Sequence, residues 1–143
     1  MELKTKYHGT RHYKKEDVIE FKKGIPGFEN LKKFIIFSAE DNNLFYILQS
    51  IEDVSMGIVL VSPFNVLQNY EFKLDDIKLK ELKIETYKDV LVLNTVTLNE
   101  KLENITVNLK APLIINIKEK VGEQIILESI DYSIKYPLFK EGA

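Results

Sequence analysis

Residues 34–61 read FIIFSAEDNNLFYILQSIEDVSMGIVLV. Three short apolar runs make up most of this stretch, and they are Phe34–Phe37, Leu44–Leu48 and Met56–Val61. Turn-forming residues separate the runs, with Asp41-Asn42-Asn43 between the first two. Short, nearly continuous apolar runs bounded by turns are typical of strands that are buried in a sheet. The stretch therefore predicts three successive strands.

Outside this stretch, alternation of apolar and polar residues is the dominant pattern. It runs through Glu128–Tyr136 and recurs at Ile105, Val107 and Leu109, while Val90–Leu98 is rich in β-branched residues. Strands at this density, without long helical patterns between them, favour antiparallel pairing. The sequence predicts a mostly β fold, a single-domain compact antiparallel β-barrel or sandwich over residues 1–143 with at most one short helix.

A hairpin is predicted near the end of the chain. Leu113–Lys118 and Gln124–Glu128 flank a segment that contains Gly122, a residue able to adopt the positive φ that a tight turn requires.

The candidate helix covers Asp75–Leu82. Asp75 is a suitable cap, and Leu74, Ile77 and Leu82 are expected to face inward. Strand spacing is also present in this segment, so a strand stays open as the alternative.

Composition limits the class of protein. The chain has 143 residues, of which 45% are apolar and 29% are charged, which favours one folded domain and excludes a disordered chain. There is no cysteine, so disulfides, thiolate metal sites and thiol nucleophiles are excluded. No apolar run is long enough to cross a bilayer, and the N-terminus lacks the pattern of a secretory signal. A cytoplasmic location is expected.

The charge is unevenly distributed along the chain. Residues 1–33 carry nine basic and five acidic side chains, whereas residues 34–143 carry eleven basic and seventeen acidic ones. The acidic bulk favours basic protein partners over phosphate backbones. The lysine-rich N-terminal third keeps an RNA- or DNA-binding β-barrel open as an alternative function, although Arg11 is the single arginine.

The search for chemical motifs predicts no catalytic, cofactor or metal site. His8 and His12 lie four residues apart without a nearby third ligand, so we interpret them as surface or strand residues. The adjacent carboxylates Glu52-Asp53 and Asp75-Asp76 are interpreted as solvated pairs, because neighbouring strand residues point to opposite faces. No nucleophile motif or phosphate-binding loop is present.

Two short segments have turn-forming sequences. Gly24, Pro26 and Gly27 predict a structural turn, with Pro26 fixing φ and Gly27 allowing the left-handed region. Phe64 and Tyr70 lie in a segment of turn character, where aromatic side chains suit either a protein interface or a loop folded back over the barrel.

Four segments in register resemble the FliW family of flagellar assembly factors, and the agreement extends over about residues 5–139. The segments are FKKGIPGFE at 21–29, LQSIED at 48–53, NLKAPLIIN at 108–116 and GEQIIL at 122–127.

This resemblance implies a non-enzymatic bacterial cytoplasmic protein with two rival partners, newly made flagellin and the translational repressor CsrA. When free of flagellin, such a protein binds and antagonises CsrA. We expect no cofactor, no direct nucleic-acid or membrane partner, and a monomer rather than an oligomer.

The candidate partner-binding residues are Gln49, Ile51, Asp53, Phe64 and Tyr70. A further hypothesis is electrostatic: reversing the charges of Glu52, Asp53, Asp75 and Asp76 weakens CsrA capture and its salt dependence.

Overall fold

A computed structural model describes residues 1–39, 44–128 and 131–139. The predicted turn at residues 41–43 and residues 129–130 lie outside the described residues. The strands, in chain order, are β1 (Glu2–Lys4), β2 (Thr10–His12), β3 (Ile19–Glu20), β4 (Lys33–Ser38), β5 (Phe45–Ser50), β6 (Gly57–Val61), β7 (Val90–Thr97), β8 (Thr106–Val107), β9 (Leu113–Asn116), β10 (Val121–Gln124) and β11 (Tyr136–Pro137). The α-helix of the described residues is α1 (Asp76–Glu81), and single 3-10 turns cover Lys15–Asp17, Pro63–Asn65, Tyr87–Asp89 and Leu102–Asn104.

Seven strands of the described chain close into a barrel. The hydrogen-bonded order is β7-β6-β5-β4-β3-β10-β9, and β9 pairs again with β7 to complete the ring. The pairings are antiparallel except that of β3 with β10, which is parallel. Strands β8 and β11 extend the sheet beyond β7, and β1 with β2 forms a separate hairpin. The predicted mostly β fold is confirmed, and the barrel alternative is the one observed.

The apolar runs of residues 34–61 form the centre of this barrel. Strands β4, β5 and β6 are consecutive and antiparallel, as their spacing predicts. Phe34, Leu48 and Leu60 belong to the main core cluster. Ile35 and Ile47, which point to the opposite face, are only 4% and 3% exposed. Burial on both faces explains why the runs are continuous and do not alternate.

The helix is shorter than predicted. Asp75 is its N-cap, and the carboxylate accepts a hydrogen bond from Lys78 N at 2.7 Å. Leu82 is buried against strand residues and Leu74 is partly buried, as expected. Ile77, however, is 70% exposed, so the prediction that it faces inward is wrong. Of the three apolar residues only Ile77 lies within α1. Five residues separate it from Leu82, about 140° around a helix of 3.6 residues per turn, so the two do not share one face.

Two local predictions near the C-terminus are also wrong. Of the described part of Glu128–Tyr136, only Tyr136 lies in a strand, although the segment alternates throughout. The hairpin at 113–124 exists, but its second strand begins at Val121, and Lys120 takes the positive φ, at 57°. Gly122 lies within β10, where an added Cβ would be 2.7 Å from the Phe21 ring. The glycine is therefore required for close packing and not for a turn.

Candidate partner-binding surfaces

The loop between β5 and β6 is organised by a buried amide. Gln49 is 1% exposed, and its Nε2 donates to Ser50 O at 2.9 Å, Val54 O at 3.3 Å and Asp53 O at 3.5 Å. The side chain lies on the outer face of the barrel, one position from the core residue Leu48. The amide therefore joins the last residue of β5 to the loop carbonyls of Asp53 and Val54, which also accept hydrogen bonds from Met56 N and Lys6 N.

The same loop is fixed by three further oxygen acceptors. Ser50 Oγ accepts hydrogen bonds from Glu52 N and Asp53 N, and the Asp53 carboxylate accepts from both Ser55 N and Ser55 Oγ. Glu52 Oε1 accepts from Lys32 N at 2.7 Å and Lys33 N at 2.9 Å, which joins the loop to the start of β4.

These hydrogen bonds have electrostatic consequences. The backbone amides of Lys32 and Lys33 lower the pKa of Glu52, and the hydrogen bonds from Ser55 lower the pKa of Asp53. Both carboxylates therefore hold the loop in place, Asp53 from within it and Glu52 by binding the start of β4, although both are exposed.

The segment after β6 is organised by a buried phenol. Tyr70 is 3% exposed, and its hydroxyl donates to Leu109 O at 2.6 Å. Burial raises the pKa of Tyr70. Phe64 packs edge-on against Tyr70 with 6.2 Å between ring centroids, yet Phe64 itself is 49% exposed. The segment thus folds over the barrel while presenting one aromatic ring to solvent.

The structure divides the five candidate residues into two groups by position. Gln49, Ile51 and Asp53 lie around the loop that precedes β6, whereas Phe64 and Tyr70 follow β6. The two groups are therefore at opposite ends of one strand.

Burial divides the same five residues differently. Asp53 and Phe64 are exposed and Ile51 is partly buried, whereas Gln49 and Tyr70 are buried. Gln49 and Tyr70 have almost no surface to offer a partner, and their hydrogen bonds hold the backbone beside the exposed side chains.

The glycine-rich segment forms a tight turn before β4. Gly24 and Gly27 have φ of +67° and +90°, and Phe28 N donates to Ile25 O at 2.7 Å across Pro26 and Gly27. These are the features of a type II turn with proline and glycine at its central positions. A Cβ at Gly24 would be 2.6 Å from the backbone of Glu29, so only glycine fits there.

The other candidate groups do not converge. In the described part of the chain, no cluster of three or more His, Cys, Asp or Glu side chains has the geometry of a metal site. His8 lies edge-on to Phe37, and the His12 ring lies 4.0 Å from the carboxylate of Glu2. In the basic N-terminal third, Lys23 Nζ lies 3.5 Å from carboxylate oxygens of both Glu81 and Glu123, which reduces its availability to phosphate.

A cleft lies beside Tyr70. No sequence pattern predicted it. Its cavity has a volume of about 520 Å³, and its lining residues are Glu71, Phe72, Lys73, Leu127, Glu128, Asp131 and Tyr132. These residues come from two segments more than fifty positions apart in the chain. No pattern in either segment indicates that the two meet, so only the tertiary fold reveals the cleft. We refer to these seven residues as the acidic cleft.

In the part of the chain that the structure describes, no helix is long and apolar enough to cross a membrane.

Comparison with known proteins gives consistent matches over the full chain. The family model described as FliW protein matches residues 2–138. A flagellar assembly factor FliW from Clostridium kluyveri is 61% identical over 140 residues, which covers 98% of this chain and 97% of that protein. A second, from Clostridium novyi, is 62% identical over 142 residues and covers 99% of each chain. A crystal structure of the flagellar assembly factor FliW matches with a TM-score of 0.89 at 37% identity, covering 100% of both chains.

Proposed function

This chain belongs to the FliW family of flagellar assembly factors, and from that membership we propose that it regulates flagellin synthesis without catalysing a reaction. In this proposal it binds newly made flagellin in the cytoplasm. When flagellin is exported, the vacant protein binds CsrA and relieves repression of flagellin translation.

The observation that carries the proposal is the agreement of sequence and fold over the whole chain. The relatives are about 60% identical over nearly their full length, and the solved structure has the same fold end to end. The segments by which the sequence resembles the family include β9, parts of β5 and β10, and the turns joined to barrel strands. A role in flagellar assembly thus rests on the entire domain and not on one motif.

The proposed switch needs only modest differences in affinity. Each tenfold preference for one of two mutually exclusive partners corresponds to about 1.4 kcal/mol. A rise or fall in free flagellin can then change which partner occupies the protein. An acidic body bound beside a basic RNA-binding face also weakens the attraction of that face for phosphates.

The surfaces around Asp53, before β6, and around Phe64, after β6, are close enough for one partner to cover both. Strand β6 has five residues, which corresponds to about 17 Å at roughly 3.3 Å per residue. A standard interface buries about 800 Å² on each partner, a patch roughly 30 Å across. We propose that Ile51, Asp53 and Phe64 contribute to such interfaces, and that overlap of the two footprints makes the partners exclusive.

The proposal is tested by displacement. Purified chain and CsrA are mixed, their complex is isolated by size-exclusion chromatography, and flagellin is added in increasing amounts. The expected result is stoichiometric release of CsrA with formation of a flagellin complex. A stable ternary complex would contradict exclusive occupancy, and failure to bind either protein would contradict the proposed function.

The nucleic-acid alternative is tested in parallel by titrating a labelled flagellin leader RNA with the chain alone at near-physiological salt. Tight binding with a steep dependence on salt would favour that alternative. The proposal predicts no such binding, and it also expects the chain to elute as a monomer before either partner is added.

A further inference from the structure

The acidic cleft combines opposite chemical characters in one cavity. Glu71, Glu128 and Asp131 contribute three carboxylates, and Lys73 contributes one amine. These four residues are exposed. The rest of the lining is apolar or aromatic, with Leu127 8% exposed and Phe72 and Tyr132 partly buried. The cleft is therefore a negatively charged rim around an apolar floor.

The two walls of the cleft are joined by hydrogen bonds. The Tyr132 hydroxyl donates to Glu71 O and accepts from Glu71 N, both at 2.9 Å. The Tyr132 ring packs on Tyr70 with 4.6 Å between centroids, and the Tyr70 hydroxyl donates to Leu109 O in the buried core. Because Tyr132 and Glu71 are already held together, a ligand that enters between them does not lose affinity to ordering of these two residues.

This combination suits a cationic side chain with an aliphatic stem. Lysine and arginine place their methylene groups on apolar or aromatic surface while the charged end meets carboxylates. A nucleic acid or an acidic peptide would instead be repelled by the rim. We propose that the acidic cleft is the docking site for a lysine- or arginine-bearing segment of CsrA, the RNA-binding partner.

This inference rests on the proposed function and makes it more specific. A protein that binds RNA phosphates has a basic surface, so it is the partner whose charge complements the cleft. The carboxylates of the cleft are also better candidates for attracting CsrA than those that the sequence suggested. Glu52, Asp53 and Asp75 accept hydrogen bonds that fix a loop or cap α1, so reversing their charges would disturb the fold as well as any docking.

The test compares two variants that change net charge equally. Glu71→Lys/Glu128→Lys alters the cleft, and Glu85→Lys/Glu119→Lys alters exposed carboxylates elsewhere. Binding of purified CsrA and of purified flagellin is measured by surface plasmon resonance at low and near-physiological salt. A Glu71→Gln/Glu128→Gln variant is measured beside them, because neutral side chains at exposed positions leave folding intact if the lysine variant is unstable.

The expected result is about tenfold weaker CsrA binding for the cleft lysine variant, mainly through slower association, and a smaller loss for the glutamine variant. The control variant should stay within about threefold of the original chain, and flagellin binding should be retained. Equal losses in cleft and control variants would show that only net charge matters and would overturn the inference.

Two other results also overturn the inference. Loss of flagellin binding with retained CsrA binding would show that the cleft takes the other partner. If the unmodified chain binds neither protein, the proposed function itself fails, which is a different result from a cleft variant that behaves like its control.

Discussion

The two segments that flank β6 are both fixed by one buried polar side chain, but over different distances in the chain. Before β6, Gln49 binds carbonyls no more than five residues away. After β6, the Tyr70 hydroxyl binds Leu109 O, 39 residues away, and its ring packs on Tyr132. The amide anchor of the first segment is therefore local, although Glu52 also joins that segment to Lys32 and Lys33. The phenol anchor of the second segment depends on the assembled fold. Replacing the anchor of the first segment should loosen that segment alone. Replacing the anchor of the second should destabilise the whole domain.

The largest effect is expected at Tyr70. Tyr70→Ala removes a ring that is 3% exposed and contacts three other aromatic rings, so the free energy of unfolding should fall by about 3–5 kcal/mol. Urea unfolding followed by circular dichroism measures this change. Tyr87→Ala is the matched control, because Tyr87 is 81% exposed and should change stability by less than about 0.5 kcal/mol. Normal stability of Tyr70→Ala with lost partner binding would instead make Tyr70 a contact residue.

A smaller and more local effect is expected at Gln49. Gln49→Leu removes the side-chain donor to Ser50 O, Asp53 O and Val54 O, of which the last two keep backbone donors. The loss should cost about 1–3 kcal/mol. Hydrogen exchange should accelerate at residues 51–55 and stay unchanged at residues 62–70. Gln68→Leu changes an exposed glutamine and serves as the control. Equal acceleration in both segments would remove the distinction between a local and a distant anchor.

Phe64 should affect binding more than stability. Because its ring is 49% exposed, Phe64→Ala should lower the free energy of unfolding by under about 1 kcal/mol. Affinity for flagellin or CsrA should fall by about tenfold or more if the ring is an interface anchor. Phe139→Ala, which removes a ring that is 39% exposed, is the control in both assays. A sharp fall in melting temperature would place Phe64 with Tyr70 in the core.

The smallest effect is expected from the acid titration of Glu52. Hydrogen bonding in the folded chain lowers its pKa below the ordinary value of 4.5. The stability that this carboxylate contributes is therefore present above pH 4.5 and is lost as the pH falls through the lowered pKa. Solvent screening limits the contribution to under about 1 kcal/mol.

The measurement compares Glu52→Gln with the original chain in urea at pH 7 and pH 3. The variant should be less stable at pH 7, and the difference should shrink at pH 3. Glu85→Gln, at an exposed position, should show no such change. An unchanged difference at the two pH values would exclude a role for the Glu52 charge in fixing the loop.

Much of the fold could be predicted because it depends on local patterns. The apolar runs of residues 34–61 predicted β4, β5 and β6, and the β-branched segment from Val90 predicted β7. The Asp75 cap was predictable because its partner, Lys78 N, is only three residues away. The alternating segment after Glu128 wrongly predicted a strand. Alternation shows only that one face of an extended segment would be apolar and the other polar. A strand forms only where a neighbouring strand is available to pair with it.

The candidate site was less predictable for the same reason. The sequence identified the segments that carry Asp53 and Phe64, but it did not distinguish exposed residues from their buried neighbours Gln49 and Tyr70. Polar and aromatic side chains occur at the surface and in the core, and their burial depends on contacts with distant segments. The acidic cleft was not identified at all, since no local pattern indicates that its two walls meet.

By itself, the sequence determined that this protein is a mostly β domain of the FliW family, because hydrophobic periodicity and the four characteristic segments are properties of local order along the chain. Only the tertiary structure decided that β9 closes on β7, that Gly122 accommodates Phe21, and that Tyr132 joins the two walls of the acidic cleft. Each of these contacts brings together residues between 20 and 101 positions apart. The entropy lost in closing these loops is offset only when the whole barrel forms. No single segment of sequence therefore specifies these contacts.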